Sequence, residues 1–112
     1  MEDLARAVKQ FNEERDWEKF HTPKNLAMAL TIEASELAEI FLWLTPEESE
    51  HLSPEALARA SEEIGDVMLY LLNLAERLGI DPLEAARKKL EMNGEKYPAA
   101  RVRGKALKYT EY

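Results

Sequence analysis

Four acidic side chains at a repeated spacing are the residues best suited to chemistry: Glu33-x-x-Glu36 and, further along, Glu63-x-x-Asp66. A step of three puts both members of each pair on one helix face, a turn apart. Around the first pair the apolar residues run Leu26, Leu30, Leu37, Ile40 and Leu44, so Glu33 takes a position where a core residue belongs. Glu63 lies at the edge of a second stripe, beside Ala60 and Val67. An ionised carboxylate facing a core is costly unless it is paired or bound to a cation. Four converging carboxylates repel one another, and an all-carboxylate ligand set favours a hard ion, magnesium or manganese, over zinc or copper. One acid pair of this spacing is ordinarily solvated helix surface; two pairs, with one acid on an apolar seam, are not. Glu39 extends the acidic row, but a salt bridge serves it equally well and it is left out of the ligand set.

The elements that must position these acids are helices. Thr22-Pro23, Ser53-Pro54 and Asp81-Pro82 each couple a capping oxygen to a proline at the first helical position, where its missing N–H costs nothing. Glu84 stands at the capping-box spacing from Asp81. Thr45-Pro46-Glu47-Glu48 marks a shorter turn, and Gly79 and Asn93-Gly94 are expected stops. The pattern predicts helices over residues 2–15, 23–44, 54–78 and 82–93. The third carries Leu57, Ala60, Ile64, Val67, Leu71, Leu74 and Leu78 in alternating three- and four-residue steps, a bundle seam. No segment shows strand alternation. The expectation is one all-α domain over residues 1–112, four-helix bundle-like. The run Val67 to Leu72 is apolar nearly all round, which suggests burial on more than one side and completion of the core by oligomerisation.

Composition narrows the functional classes. The 112 residues are 46% hydrophobic and 33% charged, as in a folded soluble domain. With no cysteine there are no disulfides and no thiolate metal sites. No leader-like start or membrane-length apolar run is present, which favours the cytoplasm and no membrane partner. A net charge of -7 argues against nucleic acid as the main partner. The charge is uneven, because Arg87, Lys88, Lys89, Lys96, Arg101, Arg103, Lys105 and Lys108 cluster near the C-terminus. Separate acidic and basic regions suit a metal-bound polyphosphate, although a solvated basic tail explains the charge as simply.

A di-iron bundle is the obvious rival, since Glu18-x-x-His21 and Glu48-x-x-His51 have its spacing. Both pairs fall at junctions before predicted helix starts, outside any long helix, and so do not meet that geometry.

The acidic pattern resembles the metal motif of the all-α MazG-like nucleoside triphosphate pyrophosphohydrolases. The resemblance covers nearly the whole chain: Phe11, Glu14 through His21, Pro23 through Leu26, Glu36 through Glu39 to Trp43, Glu62 through Val67, Asn93 with Lys96-Tyr97-Pro98, and Arg103 through Glu111. It is closest to the dCTP pyrophosphatase branch. It implies magnesium-dependent hydrolysis between the α and β phosphates of a nucleoside triphosphate, and a homotetramer built as a dimer of dimers. It further implies Glu33, Glu36, Glu63 and Asp66 as metal ligands, with Glu33 or Glu36 able to take the proton of the attacking water. Trp17, His21 and Trp43 match base-pocket residues. Asn93, Lys96 and Tyr97 match residues near the phosphates or sugar, from a neighbouring subunit; Arg103, Lys105 and Lys108 are softer phosphate candidates. The preferred base is dCTP or a ring-modified dCTP, with dUTP or a broad dNTP range as the alternative. Blander roles stand beside these: Trp17 and Phe20 as a hydrophobic cap, His21 as a helix-junction residue, Tyr97 as an ordinary helix exit. A helical oligomerisation or nucleotide-binding module without catalysis is the competing class, and it would tolerate neutral residues at Glu33 and Glu63.

Overall fold

Each proline-marked helix start is realised through a side-chain cap. The computed structural model describes residues 1–106 and Thr110, and all regular structure among them is helical. The expected all-α class therefore holds. Thr22 accepts from the Asn25 N–H and opens α2 (Pro23–Phe41). Ser53 accepts from the Ala56 N–H and opens α4 (Pro54–Leu78). Between them, Thr45 and Glu48 form a reciprocal capping box on the short α3 (Pro46–Ser49). Helix α2 ends before the expected residue 44, because Thr45 is extended ahead of Pro46 and serves as the cap of α3.

The chain divides into two units, Met1–Ile80 and Asp81–Tyr112. In the first, α1 (Glu2–Glu14) and α2 each pack against α4. Leu26 of α2 and Leu72 of α4 are 1% and 2% exposed; burial of each such side chain contributes about 1.5–3 kcal/mol. Ion pairing of Lys9 with Glu76 at 3.5 Å adds to the α1–α4 contact. The expected α4 seam is buried only in part. Ala60 is buried and Val67 and Leu74 are half-buried, but Leu57, Ile64, Leu71 and Leu78 are exposed, while Leu72, Asn73 and Ala75 go inside. Residues 64–72 are apolar on several faces, so periodicity alone did not select the face that α1 and α2 cover.

A connector links α1 to α2. Asp16 has φ +54°, in the left-handed region that Asp tolerates better than most residues. The Trp17 N–H returns to the Asn12 carbonyl at 3.0 Å, and Arg77 donates to the Glu18 carbonyl at 3.2 Å, tying the 3₁₀ turn Glu18–Phe20 to α4.

In the second unit Asp81 accepts from the Leu83 and Glu84 N–H groups and opens α5 (Pro82–Lys96), followed by α6 (Ala99–Val102). Helix α5 runs through the expected Asn93-Gly94 stop. A mid-helix glycine costs about 1 kcal/mol and does not by itself break a helix. Gly79 does end α4: it has φ +67°, and the Ile80 N–H reaches back to the Ala75 carbonyl at 2.8 Å. A Cβ at Gly79 meets no atom within 4 Å, so only the backbone opposes substitution. Gly79→Ala is therefore expected to destabilise the protein by about 1 kcal/mol, measured as a lower urea midpoint at fixed protein concentration.

Candidate functional site

Two neighbouring helices bring three of the four expected acids together. Glu33 and Glu36 stand one turn apart on α2 and Glu63 stands on α4; one oxygen from each lies within 4.8 Å of the others. Asp66, the fourth, lies a turn along α4, outside that trio, and lines the adjoining cavity. Glu33 Oε2 and Glu63 Oε2 are sealed from solvent with no hydrogen-bond partner. Desolvation pushes the Glu33 carboxyl up to about 7, reinforced by Glu36 beside it and then by the charges of Asp66 and Glu63. Glu63 is raised too, first by burial, then by the charge of Glu36 and by Asp66, and is partly offset by Glu33, whose proton it can share.

Carboxylates with sealed, orphaned oxygens are the arrangement that a divalent cation satisfies. Every donor is a carboxylate oxygen, so the residues fit a hard ion. Magnesium at such a site keeps coordination positions for water and phosphate oxygens.

Beside the acids, within the first unit, opens a cavity of about 360 Å³. Trp17 and His21, both named from the sequence, line it; their rings lie 6.3 Å apart at 70°. Phe11 meets Trp17 edge-on at 5.7 Å. His21 Nδ1 is a third sealed polar atom without a partner. The cavity wall also holds Asn12 and Asn73, which the sequence reading passed over. Their signal was present: each is an amide beside large apolar side chains, Asn12 after Phe11 and Asn73 between Leu72 and Leu74. Tyr70, the polar-tipped member of the Val67 to Leu72 run, lines the cavity as well.

Trp43 lies beyond the end of α2, is 87% exposed and does not line this cavity. Asn93, Lys96 and Tyr97 belong to the second unit, where the Tyr97 N–H closes on the Asn93 carbonyl at 2.8 Å; all three are half-buried. Arg103 and Lys105 are exposed, and Lys108 lies outside the described residues.

Comparison with known proteins places the chain in a family. The profile of the MazG-like family matches residues 28–111. The chain is 43% identical to human dCTP pyrophosphatase 1 and 42% identical to the bovine protein, over 99% of its own length in both cases. It spans 66% of the human protein and 67% of the bovine one. A solved pyrophosphatase of Archaeoglobus fulgidus is 43% identical with a TM-score of 0.79, the match covering 88% of this chain and 92% of that one.

The raised acids make stability depend on pH. Between the ordinary 4.5 of Glu33 and its folded value of about 7, the folded chain binds more protons than the unfolded chain. In EDTA the melting temperature should therefore fall as pH rises through that window. Saturating magnesium or manganese should raise the melting temperature most at the alkaline end, because the cation replaces the protons. Glu33→Gln should melt higher than the unaltered protein in EDTA at pH 8 and gain little from either ion. Thermal scans across pH check all three outcomes.

Proposed function

The chain belongs to the MazG-like family, and from that membership we propose that it hydrolyses dCTP, or a ring-modified dCTP, to the monophosphate and pyrophosphate, with magnesium at the α2–α4 acids. The reaction class follows from whole-chain kinship to dCTP pyrophosphatases: this is a nucleoside triphosphate pyrophosphohydrolase. One observation carries the site assignment: the sealed, unpartnered oxygens of Glu33 and Glu63 beside Glu36, opening onto an aromatic cavity through Asp66.

Glu33, Glu36, Glu63 and Asp66 would hold a magnesium ion, or manganese in its place, which would supply charge neutralisation on the triphosphate and on the departing pyrophosphate. The protein's own groups do the rest. The four carboxylates stay fixed on α2 and α4, so the phosphates would be oriented by the same two helices. Glu33 or Glu36 takes the proton of the water that attacks the α phosphorus. Trp17 and Phe11 offer ring faces and edges to the base, and His21 presents its unpartnered Nδ1. By the family resemblance, Trp43 adds to the base pocket, and Asn93, Lys96 and Tyr97 serve the sugar and phosphates of a neighbouring subunit. Cationic side chains of α5 and the following segment would hold the β and γ phosphates.

Exposed apolar residues support a homo-oligomer, the tetramer that the resemblance implies. Met28 and Ile32 on α2 are each 58% exposed, and Leu57 and Ile64 on α4 are 61% and 55% exposed. Large exposed apolar surfaces of this kind mark interfaces. A single-chain mass by light scattering would remove this part of the proposal. No helix among the described residues is long and apolar enough to cross a membrane; the cytoplasm is the proposed compartment, as for a nucleotide-pool enzyme.

Incubation with each dNTP and NTP, and with 5-methyl-dCTP, followed by ion-exchange separation, tests the proposal. Monophosphate and pyrophosphate should form with magnesium and not with EDTA, with dCTP or its methylated form preferred. Glu36→Gln should lower turnover on the order of 10³-fold with the helical circular dichroism unchanged. Diphosphate and phosphate as products would keep the metal site and refute the scissile bond. No product from any nucleotide would favour the binding-module reading.

A further inference from the structure

The cavity wall contains a polar device that the metal chemistry does not use. Asn12 on α1 and Asn73 on α4 are 4% and 9% exposed, and Asn12 Nδ2 donates to Asn73 Oδ1 at 2.8 Å. This is the side-chain hydrogen bond of both amides among the described residues. Each amide carries two N–H donors and a carbonyl acceptor. Pairing therefore leaves the Asn12 carbonyl and the Asn73 NH₂ group facing elsewhere. Neither atom is among the sealed orphans, which are His21 Nδ1, Glu33 Oε2 and Glu63 Oε2. Both amides line the cavity. Leu4, Ala7, Val8, Phe11 and Leu69 make the apolar part of the surrounding wall. In such a wall a lone acceptor beside a lone donor is satisfied by water or by a ligand that supplies the complement.

That complement is a flat ring with a donor and an acceptor side by side on one edge. At about 360 Å³ the cavity is at the small end of ligand sites, roughly 300–1,000 Å³. It has an aromatic pair, Phe11 and Trp17, to receive a ring, and Asp66 joins it to the acids that would take the phosphates. We propose that the Asn12–Asn73 amide pair reads the base: the Asn12 carbonyl accepts from the 4-amino group of a cytosine ring and the Asn73 NH₂ donates to its N3. The proposal rests on the triphosphate reading of the site and names the residues that set its specificity. A 4-oxo ring offers the reverse order and requires both amides to turn over together, so uracil and thymine bind less well.

Asn73→Asp separates base reading from helix pinning. The aspartate still accepts from Asn12, and its second oxygen turns the cavity-facing donor into an acceptor opposed to cytosine N3. The ratio kcat/KM for dCTP should fall about 100-fold or more, because a site built to hydrogen-bond a ring rejects one it cannot pair. The double replacement Asn12→Leu with Asn73→Leu keeps similar volume without polarity, should the buried aspartate impair folding. It should bring the dCTP to dTTP and dCTP to dUTP ratios of kcat/KM close to one, with manganese affinity at the carboxylates unchanged. A pair that only pins α1 to α4 would shift melting temperature and leave the base ranking as it was, and that result overturns the proposal. If the unaltered protein cleaves no triphosphate, the activity reading fails and the base-reading proposal is decided by NMR titration with dCMP in EDTA. Shifts of the Trp17 indole N–H that vanish in both variants support it; no binding, or binding unchanged by the replacements, refutes it.

Discussion

Placing Glu33, Glu36 and Glu63 together on two packed helices is the constraint on which the rest of the structure depends. Three carboxylates that bring one oxygen each within 4.8 Å of the others, with Glu33 Oε2 and Glu63 Oε2 sealed from water, repel one another when ionised. The α2–α4 contact must supply the free energy that holds them there, and its core is drawn from Leu26, Ile40, Ala60 and Leu72. Strain of this kind is expected at a functional site rather than in a structural core. The raised Glu33 and Glu63 carboxyls are its electrostatic signature.

The cavity depends on a second set of tethers. Lys9 to Glu76, Asn12 to Asn73 and Arg77 to the Glu18 carbonyl hold α1 and the connector against α4. Without them Trp17 and His21 would have no fixed position relative to Asp66. Acids on α2 and α4 and aromatics on α1 and its connector thus meet along α4, the helix common to both contacts. This division suits a substrate with one charged and one aromatic end, because each half of the site is built from a different pair of elements.

Much of this was legible in the residues. Thr22-Pro23, Ser53-Pro54 and Asp81-Pro82 start helices because a capping oxygen and a proline act within one turn and need no tertiary partner. Gly79 ends α4 for an equally local reason, a left-handed backbone that other residues resist. The acid pairs were legible because three-residue spacing on a helix is a geometric certainty once the helix exists. Gly94 misled, since a glycine in a helix is a cost and not a prohibition. Leu57, Ile64 and Leu71 misled because an apolar row shows only that a face is buried by something, whether the same chain or another copy.

The sequence by itself determined most of the helices, their caps and the donor chemistry of the candidate metal site, because each is set by residues a turn or less apart. Only the tertiary structure decided that Glu63 and not Asp66 completes the tight trio with Glu33 and Glu36, and that Asn12 and Asn73 form one buried pair. Both outcomes turn on how α1 and α2 are rotated against α4, and that rotation is chosen by side-chain packing across 61 residues of sequence for the amides. No local pattern in the chain records it.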